Sequence, residues 1–313
     1  MHAVVHAAEV FFDHLAAVEW KPLGIGVGLY LLRVSARPVA WRNIIAAAYP
    51  ESRVPLSRIF GAYWVGVAVN SVVPARGGDA LKLVLVKHKV TESTYPTLAA
   101  TLIVETLFDF FLSGIFFLWA LTLGVLPGVH ANIPGLDWNW FFNHPKAAAV
   151  IAGLTTFMLG AIVILLQPRL RNFKARVRQG FAILQPFERY LREVVPWQAL
   201  SWVFRFASVF YFLRAFGVAG TAHNVLLTLV VQSLATLLPF TPGGFGSEQG
   251  LLVAVFHGKV SAGALLSFSV GQKIVTMVAG LVVGGAALFA MVRTLSLRGL
   301  RHEAKAIDEP PGL

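Results

Sequence analysis

Residues 238–248 read Leu-Pro-Phe-Thr-Pro-Gly-Gly-Phe-Gly-Ser-Glu and interrupt a long apolar run. Proline removes a backbone donor and blocks helix continuation, whereas glycine lets the chain reverse at positive φ. A break of this kind at bilayer depth is tolerated only where it is buried in protein or lines a wet cavity, because lipid cannot satisfy the freed amides. The stretch therefore predicts a helix that enters the membrane, breaks and turns back.

Residues 70–82 carry a second break of the same kind, Asn-Ser-Val-Val-Pro-Ala-Arg-Gly-Gly-Asp-Ala-Leu-Lys. Both stretches contain a proline, then a Gly-Gly pair, and then an acidic residue that opens a new apolar helix. Broken apolar segments at matching places in two halves of a chain are the best sequence indication of a transporter's binding site. The pattern predicts an inverted repeat with two such hairpins.

The composition indicates an integral membrane protein of the all-α class. Hydrophobic residues make up 57% of the 313 residues and charged residues 13%, and the net charge is +11. Soluble domains carry about 25% charged residues. The basic residues cluster in short loops, as the positive-inside rule describes, and this favours a membrane over a nucleic acid as the partner. The absence of cysteine excludes disulfides and thiol nucleophiles.

The loop charges decide the predicted topology. The segment 168–195 is rich in arginine, whereas the loop 126–145 contains no lysine or arginine. If residues 57–73 crossed the membrane completely, the basic segment would lie outside, against the positive-inside rule. We therefore expect a re-entrant hairpin at 57–89 on the cytoplasmic side and an opposed one at 224–257. The N-terminus is then outside and the C-terminus cytoplasmic, in the inner (cytoplasmic) membrane of a cell.

The chain is thus predicted to form one transmembrane domain, 1–313, with about five full spans. These spans are 22–40, 95–125, 146–167, 197–216 and 262–292. The predicted division is a first repeat at about 20–125, a connector span at 146–167, a basic interfacial segment at 168–195, a second repeat at about 196–293, and a cytoplasmic tail at 294–313.

Each Gly-Gly-acid turn starts a helix, so each hairpin tip offers free N–H groups and the positive end of a helix dipole. Helix N-termini bind phosphate and other anions for this reason. Arg76 adds a planar donor fork suited to phosphate, and Lys82 lies one turn past Asp79. The alternative is that the glycines only permit a tight turn while Asp79 and Glu248 cap helices.

Further charges lie deep in apolar segments. Glu105 and Asp109 are four residues apart and hence on one helical face. They would balance Arg76 and Lys273, or carry protons as a relay, and both alternatives stay open. Arg205 is a deep charge to which the sequence assigns no role beyond pairing with another helix. The residues predicted to be interfacial anchors are Trp41, Trp64, Trp119, Trp138 and Trp140.

Motifs for catalysis are missing from the sequence. It contains no Walker-type phosphate loop, no His-Glu-x-x-His metal motif and no Gly-x-Ser-x-Gly elbow. We therefore expect no enzymatic activity, no catalytic residues, no metal site and no cofactor.

The two broken stretches resemble the lysylphosphatidylglycerol synthase transmembrane-region family, also called the flippase-like domain family. The first signature of that family is matched by Asn70, Pro74, Arg76, Gly78, Asp79 and Lys82, with Asp and Lys replacing Glu and Arg. The second is matched by Pro239, Pro242, Gly243, Gly244, Gly246 and Glu248. A Glu-Arg-x-x-Asp motif appears as Glu105 to Asp109 without the arginine, and Lys273 stands where a basic residue is usual.

The resemblance implies a protein that moves a polar or anionic phospho- or glycolipid between membrane leaflets through a central polar cavity. The soluble synthase domain of the best-known members is not expected here. The alternatives are a non-transporting subunit that supports a lipid-linked glycosyl- or aminoacyl-transferase, and an enzyme that modifies lipid headgroups. Self-association and association with such a transferase both stay open. The predicted substrate-binding residues are Asn70, Arg76, Gly77, Gly78, Asp79, Lys82, Glu105, Asp109, Pro242, Gly243, Gly244, Glu248 and Lys273.

Overall fold

The computed structural model describes residues 18–73, 77–87, 90, 92–122, 171–185, 187–237, 246–256, 258 and 260–294. Every regular element in these ranges is helical. The α-helices are α1 (Trp20–Ala48), α2 (Leu56–Val72), α3 (Gly77–Lys87), α4 (Tyr95–Thr122), α5 (Arg171–Gly180), α6 (Phe187–Glu193), α7 (Val195–Ala215), α8 (Ala222–Leu237), α9 (Ser247–Val255) and α10 (Ala262–Thr294). A short 3-10 helix, Ala182–Leu184, lies between α5 and α6.

The all-helical class is confirmed. Within the described ranges, α1, α4 and α10 are long and apolar enough to cross a membrane. They coincide with three of the predicted spans, and the predicted span 197–216 forms α7, which is 21 residues long. The predicted connector 146–167, the loop 126–145 and the tail beyond residue 294 lie outside the described residues.

Helix α1 is longer than predicted. The predicted span 22–40 is part of a continuous helix of 29 residues that ends at Ala48. Pro38 lies inside this helix without ending it. Arg42, which follows the predicted span, therefore belongs to the helix itself.

The two predicted pairs of short helices are present. Helices α2 and α3 stand where 57–73 and 79–89 were predicted, and α8 and α9 stand where 224–238 and 248–257 were predicted. Helices α2 and α3 run antiparallel, because Asn70 contacts Gly78 near the tip while Gly66 lies against Lys82 further down.

The helices share α1 as a common wall. Its Leu23 packs in a cluster with α7, α8, α9 and α10, and its Val34 and Ile45 pack in a second cluster with α2, α3 and the start of α4. A third, smaller cluster joins Ile44 to α4 and to the segment around α6. The hydrophobic core therefore has two main parts that meet at α1.

Contacts between polar groups and backbone hold α1 against α7. Ser208 Oγ donates to the carbonyl of Gly26 at 2.9 Å, and Ser201 Oγ donates to the carbonyl of Arg33 at 3.2 Å. Small residues and interhelical hydrogen bonds are what hold helices together in lipid, where the hydrophobic effect between them is weak. Helix α2 packs against α10 in a similar way, since a Cβ on Gly284 would lie 2.7 Å from the carbonyl oxygen of Trp64.

The exposed faces of α4 and α10 carry large apolar side chains. Phe110 on α4 is 77% exposed, and Val282 and Phe289 on α10 are 66% and 69% exposed. Large side chains of this kind on a continuous surface are typical of a face covered by lipid or by a partner. These exposed faces belong to helices that are long enough to span a bilayer.

The basic segment docks on the ends of the spans. Gln179 Nε2 donates to the carbonyl of Ala48 at 2.8 Å, and Asn43 Nδ2 donates to the carbonyl of Glu193 at 2.8 Å. Ala48 is the last residue of α1, and its carbonyl has no partner within the helix. Gln179 therefore satisfies an acceptor that the helix itself leaves open.

The prediction of interfacial anchors is wrong for two of the tryptophans. Trp41 and Trp64 are 0% and 1% exposed and pack inside the second cluster. Trp41 Nε1 donates to Thr101 Oγ1 at 3.0 Å, so its polar group is satisfied by protein. Trp119 is partly buried with its ring 6.1 Å from that of His223, and Trp138 and Trp140 lie outside the described residues.

Candidate functional site

The predicted binding residues fall into three groups, of which the first two share contacts with the Tyr63 side chain. The first group is at the tip of α2 and α3, the second is on α4, and the third joins α9 to α10. Four of the predicted residues, namely Arg76, Pro242, Gly243 and Gly244, lie outside the described residues.

The first group is an internally bonded hairpin tip. Asn70 Nδ2 donates to Asp79 Oδ1 at 3.0 Å, and Asn70 Oδ1 accepts from the backbone N–H of Gly78 at 2.8 Å. Lys82 Nζ lies 2.9 Å from Asp79 Oδ1 and 4.0 Å from the centre of the Tyr63 ring. The ammonium of Lys82 is thus held by a carboxylate and an aromatic face.

The same tip has no room for a side chain at Gly78. A Cβ there would collide with the carbonyl oxygen of Gly66 and would lie 2.8 Å from the backbone nitrogen of Asn70. Glycine is therefore required because the two helices approach each other backbone to backbone. Gly77 precedes it at the start of α3, where a Cβ would lie 2.9 Å from Val73 Cγ1.

The second group is a buried cluster around Arg37. Arg37 Nε donates to Glu105 Oε1 at 2.7 Å, and its Nη2 donates to Asp109 Oδ2 at 2.6 Å. Tyr63 Oη donates to Glu105 Oε1 at 3.3 Å, and Trp202 Nε1 donates to Asp109 Oδ1 at 2.7 Å. One guanidinium thus joins two carboxylates that lie on one face of α4, as their spacing predicts.

The observed partner of these carboxylates was not predicted. The sequence offered Arg76 and Lys273. The structure pairs both carboxylates with Arg37 and pairs Lys273 with Glu248, and Arg76 lies outside the described residues. Arg37 lies within α1 and only 12% of its side chain is exposed. Arg37 becomes the partner because α1 packs against α4, and no local sequence pattern predicts this pairing.

The third group surrounds the Glu248–Lys273 ion pair. Lys273 Nζ lies 2.9 Å from Glu248 Oε2. Gln232 Nε2 lies 3.3 Å from Glu248 Oε1 and 3.1 Å from Gln272 Oε1. At the start of α9, the N–H of Gly246 donates to Gln249 Oε1 at 2.6 Å, so part of this helix N-terminus is satisfied by its own side chain.

The third group forms one wall of a polar cavity of about 160 Å³ between α1, α7, α8, α9 and α10. No residue of the first two groups lines this cavity. Three cations and one carboxylate line it, and the remaining lining groups are mostly neutral and polar. The lining residues are Tyr30, Arg33, Arg205, Ser208, Val209, Gln232, Glu248, Gln272, Lys273 and Thr276. We refer to this space as the central cavity.

Two of the lining arginines were not among the predicted site residues. Arg205 was noted as a deep charge without a role, and Arg33 was not singled out at all. A charged side chain in the middle of an apolar span is costly and is usually retained for function. Arg33 lies within the predicted span 22–40, so the same rule applied to that span would have identified it.

A metal site receives no support from the described residues. No group of three or more His, Asp or Glu side chains lies together there in an arrangement that could hold a metal ion. The chemistry available in the central cavity is hydrogen bonding and charge.

Comparison with known families gives a match over most of the chain. Residues 8–284 match the model of a family described as the lysylphosphatidylglycerol synthase TM region. The matched range contains both broken stretches and every residue that lines the central cavity.

Two curated relatives are also similar, at low identity. A UPF0104 membrane protein of Methanothermobacter thermautotrophicus is 21% identical over 238 residues, which are 70% of this chain and 70% of the relative. A UPF0104 membrane protein of Pyrococcus horikoshii is 21% identical over 178 residues, which are 55% of this chain and 45% of that relative. Both names describe membrane proteins and neither states an activity.

Proposed function

The chain belongs to the family of lysylphosphatidylglycerol synthase transmembrane regions, and we propose that it moves a polar or anionic lipid between membrane leaflets. The observation that carries the proposal is the central cavity, a polar and charged space enclosed by helices whose outer faces are apolar. The headgroup of the lipid occupies the cavity while its acyl chains remain in the bilayer. The chain itself performs no catalytic step in this proposal.

The side chains that line the cavity can replace the hydrogen bonds that water forms with a lipid headgroup. Gln232, Gln272 and Tyr30 provide neutral donors and acceptors, and Arg33, Arg205 and Lys273 provide positive charge. A buried polar group without hydrogen bonds costs several kcal/mol in a purely apolar medium. Replacing the lost hydration in this way lowers the barrier that a headgroup meets on crossing the membrane.

We propose that α2–α3 and α8–α9 are re-entrant hairpins that enter from opposite sides. Their lengths support this. At about 1.5 Å per residue, the 17 residues of α2 reach roughly 26 Å and the 11 residues of α3 roughly 17 Å, against a hydrocarbon core of about 30 Å. The antiparallel contact of α2 with α3 returns the chain toward the side from which it came.

The two halves also use similar side chains, which supports an inverted repeat. In the first half an amide on α2, Asn70, bonds to Asp79, which pairs with Lys82. In the second half an amide on α8, Gln232, bonds to Glu248, which pairs with Lys273. The helix contacts match in the same way, since α2 packs on α10 and α4 packs on α8.

Transfer by purified protein tests the proposal directly. The protein is reconstituted into vesicles that contain a headgroup-labelled phosphatidylglycerol, and a membrane-impermeant quencher is added outside. In vesicles without protein, only the outer-leaflet label is quenched. With active protein, we expect the label of the inner leaflet to become accessible during the measurement.

A pair of matched variants tests whether the central cavity is the route of the headgroup. Thr276 lines the central cavity, so Thr276→Phe places a ring in the headgroup's path and is expected to slow transfer at least tenfold. Val282→Phe adds a ring on the same helix but on its exposed face, and it should transfer like the parent protein. Equal rates for the two variants would exclude the central cavity as the route.

A supporting role beside a separate transferase is the second candidate, because the family description names a synthase. In that role the protein co-purifies with the transferase, and the quencher reaches no inner-leaflet label with the protein alone. Product formation by the purified protein with a lipid donor would instead indicate an enzyme.

A further inference from the structure

Arg33 and Arg205 are exceptions among the deep cations of this chain. Among the residues that the structure describes, neither guanidinium forms an ion pair with a carboxylate. Arg205 Nε is buried and has no hydrogen-bond partner. Both side chains line the central cavity.

The other deep cations that the structure describes each have at least one carboxylate partner. Arg37 lies one turn after Arg33 on α1 and contacts two carboxylates, and Lys82 and Lys273 each lie 2.9 Å from one carboxylate. A buried charge without a counter-charge is strongly unfavourable. The two unmatched arginines therefore point to a negative group that the cavity receives from outside the described protein.

Arg205 lies over an aromatic ring. Its Cζ lies 4.6 Å from the centre of the Trp202 ring. A guanidinium in such a contact keeps its charge and its planar set of N–H groups, and that set matches phosphate oxygens. Ser208 and Thr276 already donate to backbone carbonyls, and the Gln232 amide already donates to Glu248 and Gln272. The charged groups and the Gln272 amide therefore remain as the principal donors.

The charge of the cavity then selects the ligand. Its lining carries Arg33, Arg205 and Lys273 against Glu248 alone, which is three positive charges and one negative charge. The adjoining Arg37 cluster adds one positive and two negative charges, so the cavity and this cluster together carry four positive and three negative charges. A group with net negative charge is therefore favoured, and a group that brings additional ammonium ions is repelled.

We propose that the central cavity binds a phosphate oxyanion between Arg33 and Arg205 and accepts only headgroups whose net charge is negative. That the phosphate belongs to a lipid rests on the proposed function. A lysyl ester of phosphatidylglycerol carries one phosphate and two ammonium groups, so it is net positive and is rejected. The ligand class is thus a simple anionic phospholipid rather than an aminoacylated one.

Lipid binding tests the proposal without any transport assay. The purified protein in neutral detergent is offered equal amounts of phosphatidylglycerol, phosphatidylcholine and lysylphosphatidylglycerol, and bound lipid is counted by native mass spectrometry. We expect phosphatidylglycerol to be retained and the other two to be displaced. A parallel titration with inorganic phosphate distinguishes a site that binds any oxyanion from one that needs the lipid, and binding of either probe through the two arginines supports the site.

Matched variants assign the binding to the two arginines. Arg33→Gln and Arg205→Gln each remove a charged donor, and each is expected to weaken phosphatidylglycerol binding about tenfold or more. Arg189→Gln removes the same charge from the exposed helix α6, where Arg189 pairs with Glu193, and it should bind like the parent. If Arg205→Gln does not fold, Arg205→Lys keeps the charge but loses the fork, and it should also bind more weakly.

Equal retention of the three lipids overturns the proposal, and so does unchanged binding by both arginine variants. Failure of the oxyanion site can be distinguished from failure of the proposed transport function. Binding that depends on Arg33 and Arg205 without any leaflet transfer would keep the oxyanion site and reject transport. Transfer that is indifferent to both arginines and to headgroup charge would keep transport and reject the site.

Discussion

At the scale of single residues, Arg33 and Arg37 have opposite surroundings although they lie one turn apart on α1. Arg37 contacts two carboxylates on α4, with donors from Tyr63 and Trp202 completing the cluster. Arg33 points into the central cavity. Arg37 therefore contributes to stability, and we propose that Arg33 contributes to ligand binding.

This difference gives a prediction about stability. Arg37→Gln leaves two buried carboxylates without their cation, and removing one partner of a buried ion pair typically costs about 3–5 kcal/mol. We expect a large loss of stability for Arg37→Gln in thermal unfolding measured in detergent. Arg33→Gln removes the same charge from the same helix and should leave the unfolding midpoint unchanged or raise it. Similar losses for the two variants would contradict the assigned roles.

Sequence reasoning reached part of the site, and particular residues show where it stopped. The spacing of Glu105 and Asp109 was sufficient to place both carboxylates on one face. Their partner, Arg37, is 68 and 72 residues away along the chain and was identified only by the packing of α1 on α4. Similarly, Lys273 and Glu248 were both singled out, but their pairing depends on how α9 meets α10. Local patterns indicate which charges are deep, and tertiary contacts decide which of them are neutralised.

At the scale of elements, the α2–α3 pair depends on close approach of two backbones. Gly66 and Gly78 face each other near the tip, and Asn70 bonds to both Gly78 and Asp79. The Gly-Gly pair was predicted to permit a turn. In the structure Gly78 also allows α3 to lie directly on α2.

Gly78→Ala is therefore expected to separate the two helices. The added methyl group would overlap the carbonyl oxygen of Gly66, and overpacking of this kind costs about 1–3 kcal/mol. Gly114→Ala is the matched control, because a Cβ at Gly114 on α4 has nothing within 4 Å. Thermal unfolding should show a loss for Gly78→Ala and no loss for Gly114→Ala. Equal stability of the two variants would mean that the approach of α2 and α3 is not tight.

At the scale of the whole molecule, the arrangement of helices agrees with the order predicted from charge and hydropathy. Longer helices alternate with pairs of short ones: α1, α2–α3 and α4 in the first half of the described chain, and α7, α8–α9 and α10 in the second. The elements were predictable because proline, glycine and apolar length are local signals. The direction in which each hairpin enters the membrane is a property of the bilayer as well as of the chain, so it requires a measurement of its own.

The chain lends itself to that measurement because it contains no cysteine. Single cysteines at Glu51 and Glu92 flank the first hairpin, and single cysteines at Ala219 and Ala262 flank the second. We expect an impermeant thiol reagent to label the first two from the cytoplasmic side and the last two from the opposite side. If Glu51 and Glu92 are labelled from opposite faces, then α2–α3 crosses the membrane and the inverted repeat is wrong.

Helix α1 belongs to the hydrophobic clusters of both halves, and this has a consequence for any attempt to divide the protein. A fragment that contains only α7 to α10 lacks Leu23, Val27 and Tyr30, which α1 packs against its core. The fragment also loses the backbone acceptors that Ser201 and Ser208 use. Lipid can cover the bare apolar seam but cannot accept those two hydroxyl protons. We therefore expect that the second half does not fold on its own. A fragment of α7 to α10 should regain a native fold only when α1 is supplied as a separate peptide.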